Sequence, residues 1–343
     1  MLFVCSVPRS VDDPPNPFHE VHLEWDEPPV AGLRVYEERA RTALSRNESP
    51  DIPFRFSVNP YRGCFHACAY CYARPSHGYL DFGAGTGFDR QIVVKTNIAE
   101  RLAEAFAARR WKGEPVTFSG NTDCYQPLEA RYGLTRACLQ VCLAHRNPIT
   151  IITKNKLVVR DTELLSELAR QAGASVSFSV PFADDAMARA IEPGASSPTQ
   201  RFAAMRALSD AGVPTALMIG PVIPGLNEHQ IPALLERAQQ AGARAAHMLL
   251  LRLAPEVEAV FTPRLREAYP DRADKVLSAL REMRGGGLVT PRFGARMRGE
   301  GERWGAVEQL FELHRKRLGL GDGLTFEDLG AFRRPTAQLS LFE

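Results

Sequence analysis

Three cysteines lie close together early in the chain, in the segment NPYRGCFHACAYCYARP. Cys64, Cys68 and Cys71 follow a C-x3-C-x2-C spacing, and each thiolate can bind one iron of a cubane cluster. Most ferredoxin clusters use four cysteines, so three cysteines leave one iron without a protein ligand. The spacing therefore predicts an iron–sulfur cluster whose fourth iron binds something other than the protein.

A structural zinc site is the alternative interpretation of the same cysteines. Such a site needs four closed ligands, and His66 or His77 would complete a Cys3His set. The remaining cysteines are scattered and form no second pair at finger or ribbon spacing: Cys5, Cys124, Cys138 and Cys142. The spacing therefore favours the cluster over zinc.

With the aromatic residue Tyr70 directly before the last cysteine, this segment resembles the cluster motif of the radical S-adenosylmethionine (radical SAM) superfamily. The resemblance implies a 4Fe-4S cluster whose open iron binds the amino and carboxylate groups of S-adenosyl-L-methionine (SAM). It also implies one-electron cleavage of SAM, hydrogen abstraction from a substrate, and a reductant such as flavodoxin or ferredoxin. Tyr70 is then expected in the cofactor site, and Tyr72, which follows Cys71, is a candidate catalytic residue.

The composition is ordinary for a globular protein of 343 residues, with 45% hydrophobic and 24% charged residues. A net charge of +2 is too small to require a polyanionic partner, although local patches decide such contacts better than the total. No window approaches the ~18 apolar residues of a membrane span, and the start lacks the features of a signal peptide. Because a cluster of this kind needs a reducing compartment, we expect a cytoplasmic protein without a membrane partner.

Four segments are expected along the chain. Residues 1–50 are rich in proline and charge, which predicts an irregular N-terminal extension that either wraps the main domain or is partly disordered. Residues 51–255 alternate β-branched runs with amphipathic helical stretches, and residues 256–334 predict a C-terminal helical subdomain. Residues 335–343 are expected to form a flexible tail.

Six strands are predicted in the central segment: Phe54–Val58, Val116–Ser119, Ile149–Thr153, Val176–Val180, Thr215–Ile219 and His247–Leu251. Glycines after alanine-rich turns are candidate helix ends: Gly173, Gly212 and Gly242. Six β-α units imply a parallel sheet, short of the eight units of a complete barrel. The number matches the α/β fold that the resemblance implies, a partial (β/α)6 barrel of the TIM type. Chemistry in such barrels lies at the C-terminal ends of the strands, and the cysteines directly follow the first one.

Polar residues after the second and third strands are candidates for binding SAM. The superfamily resemblance implies a turn that holds the methionine amino group, and the SGNTD segment supplies Ser119, Gly120, Thr122 and Asp123. A plain turn with an aspartate cap is the alternative. Lys154, just past the third strand, is a candidate partner for the methionine carboxylate.

The next two strands add further candidates. Ser179, at the top of the fourth strand, either hydrogen-bonds to SAM or simply fills a narrow barrel layer. The segment MIGPVIPGLNE resembles a looser form of the family region that supports adenine. Gly220, Val222, Gly225 and Glu228 match this region with one extra residue inserted.

Two other polar groups lie farther along the chain. The residues Arg189, Glu192 and Arg201 form either a buried ion-pair network or part of a substrate site. An arginine-rich stretch either contacts phosphates or stays solvated, and it contains Arg292, Arg296, Arg298 and Arg303.

The wider sequence resembles one bacterial branch over roughly residues 47–320, through segments such as NTDCYQPLE, TKNKLVVRD and PVIPGLNE. This branch is grouped with spore photoproduct lyase as a "DNA repair photolyase"-like set. The lyase family carries a hydrogen-donating cysteine at the end of its second strand, where this chain has Gly120. Cys124, four residues on, is either a relocated donor and hence a catalytic residue or a plain buried cysteine.

The C-terminal segment RRPTAQLSLFE resembles the pentapeptide by which bacterial repair and replication proteins bind the DNA sliding clamp. The residues expected to bind this partner are Gln338, Leu339, Leu341 and Phe342. An apolar tail folded against the barrel is the alternative.

Together these patterns predict a lyase-like radical SAM enzyme that abstracts hydrogen from a nucleic-acid base, in DNA repair or modification. Radical chemistry on a peptide or a small molecule is one alternative. A non-catalytic iron–sulfur or zinc module recruited to DNA is the other.

Overall fold

The computed structural model describes residues 32–289, 296–324 and 331–334 of the chain. The strands in these ranges are β1 (Arg34–Glu38), β2 (Leu44–Arg46), β3 (Phe56–Val58), β4 (Tyr61–Arg62), β5 (Gln91–Lys95), β6 (Val116–Phe118), β7 (Ile149–Thr153), β8 (Ala174–Ser179), β9 (Thr215–Val222) and β10 (Ala245–Leu250). The α-helices are α1 (Thr86–Arg90), α2 (Ile98–Ala107), α3 (Glu129–Tyr132), α4 (Leu134–His145), α5 (Thr162–Gln171), α6 (Asp185–Ile191), α7 (Pro198–Asp210), α8 (Ile231–Gln240), α9 (Pro255–Ala268), α10 (Pro270–Glu282) and α11 (Gly301–Arg317). Short 3-10 helices cover Arg74–Leu80, Lys156–Asp161 and Glu228–Gln230.

The main sheet has seven strands in the order β10-β9-β8-β7-β6-β3-β2. β3 and β6 to β10 are parallel, whereas β2 pairs antiparallel with β3 at one edge. The predicted α/β fold with six parallel strands is confirmed, and β7 has the predicted bounds at both ends. The glycines predicted to end helices all have the left-handed backbone of a helix C-terminus: Gly173, Gly212 and Gly242.

The two faces of this sheet differ in chemistry. The face that packs against the helices is apolar and fully buried, as at Val116, Ile151, Val176 and Leu217. The opposite face, toward the barrel interior, carries mainly hydroxyls and small side chains: Ser57, Thr117, Thr150, Ser175, Ser177, Ser179, Ala216, Met218 and His247. Several of these inward side chains are only half-buried, so the interior is accessible from outside.

The expectation of an irregular segment up to residue 50 needs a correction. Within its described part, β1 pairs in parallel with β5, from Arg34 opposite Gln91 to Glu38 opposite Lys95, and β4 completes this small sheet. β2 extends the main sheet. The side chains of β1 are mostly exposed, so the strand lacks the apolar alternation by which strands are recognised in a sequence.

Contacts near the C-terminus bridge the two edges of the main sheet. The backbone N–H of Leu250 in β10 donates to the carbonyl of Met297 at 3.1 Å. The neighbouring Arg296 extends its guanidinium to Asp51 and Ser49, in the connection between β2 and β3, with both distances 2.7 Å. Residues 296–297 thus tie the edge strand β10 to the opposite edge of the sheet.

The C-terminal helices α9, α10 and α11 agree with the predicted helical region. No helix in the described ranges is long and apolar enough to cross a bilayer. Phe332 packs beside the rings of Phe106 and His145, and Arg334 donates to the carbonyl of Trp111 at 2.5 Å. These contacts attach residues 331–334 near the ends of α2 and α4.

Candidate active site

The three cysteines lie in the loop that follows β3 and β4, at the C-terminal end of the first parallel strand. Ala67 has a left-handed backbone, with φ 54°, and its N–H donates to the carbonyl of Cys64. The N–H of Cys71 donates to the carbonyl of Cys68 at 3.2 Å. All three cysteines are free thiols, two of them buried and Cys71 partly exposed.

Arg74, a buried residue that sequence reasoning missed, organises this cysteine loop. Its guanidinium donates to the carbonyl of Cys68 at 2.9 and 3.1 Å, and to the carbonyls of Ala84 and Gly85. It also forms an ion pair with Asp89 at 2.9 Å. One side chain therefore fixes the loop backbone between the second and third cysteines.

Gln126 fixes the loop on the other side of Cys64. Its amide nitrogen donates to the carbonyl of Gly63 at 3.0 Å, and its amide oxygen accepts from the N–H of Phe65 at 3.1 Å. Gly63 has a left-handed backbone, and a Cβ there would lie 2.9 Å from atoms of Gln91, His77 and Ile92. Only a glycine fits this position without a shift of its neighbours.

The histidines considered as zinc ligands have other surroundings. Nδ1 of His66 lies 3.4 Å from Asp123, and its Nε2 accepts a hydrogen bond from Asn155 at 3.1 Å. His77 is buried, with Nε2 2.8 Å from the carbonyl of Gln91. No three His, Cys, Asp or Glu side chains among the described residues converge as a single metal ion requires. A cubane cluster attaches each thiolate to a different iron, so its ligands need not converge on one point.

The chemistry of the three thiols fits such a cluster. Burial raises the pKa of Cys64 and of Cys68, and the negative charges of Asp123 and Glu192 add to these two shifts, respectively. Burial also raises the pKa of Cys71, while the guanidinium of Arg74 opposes that rise. Buried thiolates therefore need a compensating cation, which the irons of a bound cluster provide.

Asp123 joins the turn after β6 to the turn after β7. Its carboxylate accepts hydrogen bonds from the hydroxyl of Thr153 at 2.9 Å and from the N–H of Lys154 at 2.7 Å. Thr122 is buried and donates its hydroxyl to the carbonyl of Tyr61 at 2.7 Å. Both side chains thus shape the wall beside the cysteine loop.

Gly120, in the turn after β6, is tightly enclosed. A Cβ at this position would lie 2.7 Å from Cβ of Ser57 and 2.8 Å from its hydroxyl oxygen. Ser119 before it has a left-handed backbone with φ 69°, and its hydroxyl accepts from the N–H of Cys124 at 2.9 Å. The thiol of Cys124 is fully buried, and burial raises its pKa well above the ordinary value.

Tyr72 differs from Cys124 in exposure. The side chain is 60% exposed at the end of the cysteine loop, and its hydroxyl donates to the carbonyl of Gly120 at 3.0 Å. Tyr72 therefore spans the gap between the cysteine loop and the turn after β6. This gap, at the C-terminal ends of the parallel strands, is called the mouth of the barrel.

A polar network lies after β7 and β8, next to the cysteine loop. Nζ of Lys154 donates to the hydroxyl of Ser179 at 2.6 Å and lies 3.8 Å from the carboxylate of Glu192. Glu192 pairs with Arg201 at 2.5 Å, both fully buried, and accepts a hydrogen bond from the hydroxyl of Tyr70. Although burial opposes it, the charges of Arg201 and Lys154 hold the pKa of Glu192 below its usual value.

The structure shows the buried ion pair that the sequence offered as one interpretation of Arg189, Glu192 and Arg201, and the network extends to β9. The Glu192–Arg201 pair is the buried ion-pair network, whereas Arg189 is exposed. The hydroxyl of Ser179 also donates to the carbonyl of Gly220 at 3.0 Å. Val222 is buried, and its carbonyl accepts from the N–H of Leu251 at 2.9 Å.

The arginine-rich stretch makes intramolecular contacts wherever it is described. Arg296 pairs with Asp51, Arg298 lies 3.9 Å from Glu308, and Arg303 lies 3.6 Å from both Glu228 and Glu282. Arg292 and the tail residues Gln338, Leu339, Leu341 and Phe342 lie outside the described residues, so their assignments stay predictions.

Comparison with known proteins identifies the family. A model described as the Radical SAM superfamily matches residues 58–238. An uncharacterized protein of Mycobacterium tuberculosis strain H37Rv is 37% identical over 247 residues, which are 71% of this chain and 73% of that protein. A radical SAM Nalpha-GlyT isomerase of Pseudomonas phage M6 is 25% identical over 210 residues, 60% of this chain and 42% of that protein.

The fold is also similar to a solved structure of spore photoproduct lyase complexed with dinucleoside spore photoproduct. The TM-score is 0.60 at 16% identity, over 84% of this chain and 81% of that chain. The family match covers the cysteine loop, the turn that contains Asp123 and the strands up to β9. The chain belongs to the radical SAM superfamily.

Proposed function

We propose that the protein is a radical SAM enzyme that holds a 4Fe-4S cluster on Cys64, Cys68 and Cys71 and acts on a nucleic-acid base. When bound, the cluster and SAM supply the one-electron chemistry that leads to hydrogen abstraction from the substrate. The observation that carries the proposal is the trio of free thiols at the end of the first parallel strand, on a backbone fixed by Arg74 and Gln126.

We propose different roles in SAM binding for the residues around the mouth. Lys154 is 16% exposed on its side chain and can meet a carboxylate, although Ser179 and Glu192 already hold its ammonium group. Ser119, Gly120, Thr122 and Asp123 act through the shape of their turn, because their side chains or carbonyls are engaged within the protein. Tyr70, Gly220 and Val222 support the part of the site that contains Lys154 and Ser179.

Of the two candidate catalytic residues, Tyr72 has the better access to a substrate. It is exposed beside the cysteine loop, whereas the thiol of Cys124 is buried beneath the turn after β6. We therefore propose that the Tyr72 hydroxyl contacts the substrate and that Cys124 supports the turn.

The nucleic-acid substrate rests on three supporting features. Spore photoproduct lyase, whose fold this chain shares, was solved with a dinucleoside photoproduct. The barrel interior is lined with hydroxyls that can hydrogen-bond to a base. Arginines gather where β10 ends. We propose lyase-like or related carbon–carbon chemistry, with flavodoxin or ferredoxin as the reductant and the cytoplasm as the compartment.

Label transfer tests the function directly. The cluster-loaded protein is incubated with dithionite, SAM deuterated at the 5′ carbon and UV-irradiated DNA, and the nucleosides are analysed by mass spectrometry. We expect 5′-deoxyadenosine together with a changed or labelled nucleoside. Cleavage of SAM without any change in nucleosides would remove the nucleic-acid substrate and favour a peptide or a small molecule. No cleavage at all would favour the non-catalytic module.

The tail motif supports a second, separate proposal, docking on the bacterial DNA sliding clamp. Residues 331–334 are attached near the ends of α2 and α4, just before β6 and β7 begin, on the side of the barrel opposite the cysteines. A partner bound just beyond them would leave the mouth open. A pull-down with purified clamp should capture the full chain and lose the chain truncated after Thr336. Equal capture of both would contradict docking through the tail.

A further inference from the structure

The β10 side of the barrel carries two polar side chains that make no hydrogen bond or ion pair with any residue that the structure describes. His247 lies in the middle of β10, and Arg252 follows the strand at its C-terminal end. Both side chains are half-buried. Polar groups that line an accessible interior and make no contact with the described protein can bind a ligand there.

The surroundings of Arg252 carry an excess of positive charge. Burial lowers the pKa of Arg252, and the nearby guanidinium of Arg296 lowers it further. Arg284 is close enough to Arg252 for burial and that charge to lower the pKa of Arg284 to about 10. The carboxylate that opposes these charges, Asp51, already accepts from Arg296 at 2.7 Å. An added anion would therefore be stabilised beside Arg252.

The two neighbouring arginines, Arg284 and Arg296, are fixed by hydrogen bonds within the protein. Arg284 donates to the carbonyls of Leu251 and Leu250 at 2.8 and 3.1 Å. Arg296 is held by Asp51 and Ser49. Arg252 is the member of this group whose five N–H donors make no hydrogen bond to a described residue, and its planar fork matches the oxygens of a phosphate.

His247 lies in the same layer of the barrel interior as the residues of the proposed SAM site. In the parallel register, Ser179 pairs with Met218, and Met218 pairs with His247. Ser179 accepts from Lys154, so the layer runs from the cofactor wall across to β10. His247 therefore lies on the interior face at the depth of the residues proposed to bind SAM.

We propose that β10 holds the substrate through two contacts, with Arg252 binding a backbone phosphate at the rim and His247 hydrogen-bonding to the base that enters the barrel. The proposal rests on the proposed nucleic-acid function and names the residues that recognise it. The two positions are five residues apart, about 16 Å in an extended chain.

Binding of a short oligonucleotide tests this proposal. A fluorescein-labelled single-stranded oligodeoxythymidylate is titrated with the full-length cluster-loaded protein, and anisotropy is followed at several salt concentrations. Arg252→Ala should weaken binding about tenfold or more, because a charged hydrogen-bonded contact is lost, and should reduce the salt slope by about one. The affinity of Arg252→Lys should lie between those of the unchanged protein and Arg252→Ala, since lysine keeps the charge and loses the planar fork. His247→Ala should weaken binding severalfold with an unchanged slope.

A matched control removes charge elsewhere. Arg206 on α7 is exposed, so Arg206→Ala should bind like the unchanged protein. Thermal unfolding checks each variant, and since Arg252 makes no hydrogen bond within the described ranges, its loss should not lower the melting temperature. If the oligonucleotide binds equally to the Arg252→Ala variant, the proposal is wrong and the proposed function stands. If the unchanged protein binds a glutamate-rich peptide but no oligonucleotide, both the proposal and the nucleic-acid function are wrong.

Discussion

The cysteine loop follows β3, near one edge of the main sheet, and β10 forms the other edge; the two regions differ in how their polar groups are satisfied. Around the cysteines, the side chains of Arg74, Gln126 and Asp123 make hydrogen bonds that fix the backbone. On β10 and just after it, His247 and Arg252 make no hydrogen bond or ion pair with any described residue. We infer that the proposed cofactor side of the site is preorganised, whereas the proposed substrate side leaves donors available for a ligand.

Removing Arg74 should break the preorganised half most severely. Arg74→Met removes four hydrogen bonds to three backbone carbonyls, and it leaves Asp89 without this ion pair. We expect a loss of about 3–5 kcal/mol in the free energy of unfolding, as for other broken buried pairs, and poor cluster incorporation. Urea unfolding and iron content measure both. Arg131→Ala, on an exposed side chain, is the control, and equal stability of the two variants would contradict the role of Arg74.

Glu192→Gln should disturb the network behind Lys154 and make stability less sensitive to acid. The change leaves the buried Arg201 without its counter-charge and should cost about 3 kcal/mol near pH 7. Because the pKa of Glu192 is lowered in the folded state, its contribution is present above the unfolded pKa of ~4.3 and is lost as the pH falls below it. Unfolding measured from pH 7 to pH 3 should show the two proteins converging. A constant difference would exclude Glu192 as the source.

Gly120→Cys tests whether the lyase arrangement fits this chain. The new Cβ would collide with Ser57, so we expect a loss of about 1–3 kcal/mol in unfolding free energy. Ser57→Gly in the same chain removes the atoms that collide and should restore much of that loss. No rescue in the double variant would show that another contact limits the site.

The two candidate catalytic residues should separate in a paired comparison. Tyr72→Phe keeps the ring and removes the exposed hydroxyl, so product formation should fall about tenfold or more if the hydroxyl assists proton or hydrogen transfer. Cys124→Ala removes only a buried thiol and should cost about 1 kcal/mol of stability while keeping product formation. Labelled nucleoside and melting temperature are the readouts, and the opposite pattern would return the role to Cys124.

The sequence predicts those parts of the molecule that depend on local patterns. β7 and the glycines after α5, α7 and α8 follow from apolar alternation and from the need for a left-handed residue at a helix end. The cysteine spacing identified the family, because the chemistry of the motif lies within eight residues.

The supports of the site depend on contacts between distant parts of the chain, which no local pattern records. Gln126 reaches the loop at Gly63, and Arg296 reaches Asp51 across more than two hundred residues. β1 lacks apolar alternation because its side chains are mostly exposed, and its partner β5 lies far along the chain. Among these supporting residues, only Arg74 is marked by the local sequence, as a charged residue just after the last cysteine.

Iron and sulfide analysis of anaerobically reconstituted protein tests the central claim most directly. The account predicts about four irons and four sulfides per chain and SAM cleavage under dithionite. Alanine at Cys64, Cys68 or Cys71 should abolish both, whereas Cys138→Ala, in the core on α4, should keep both. Stoichiometric zinc with no cluster, or a full cluster in all three variants, would contradict the account.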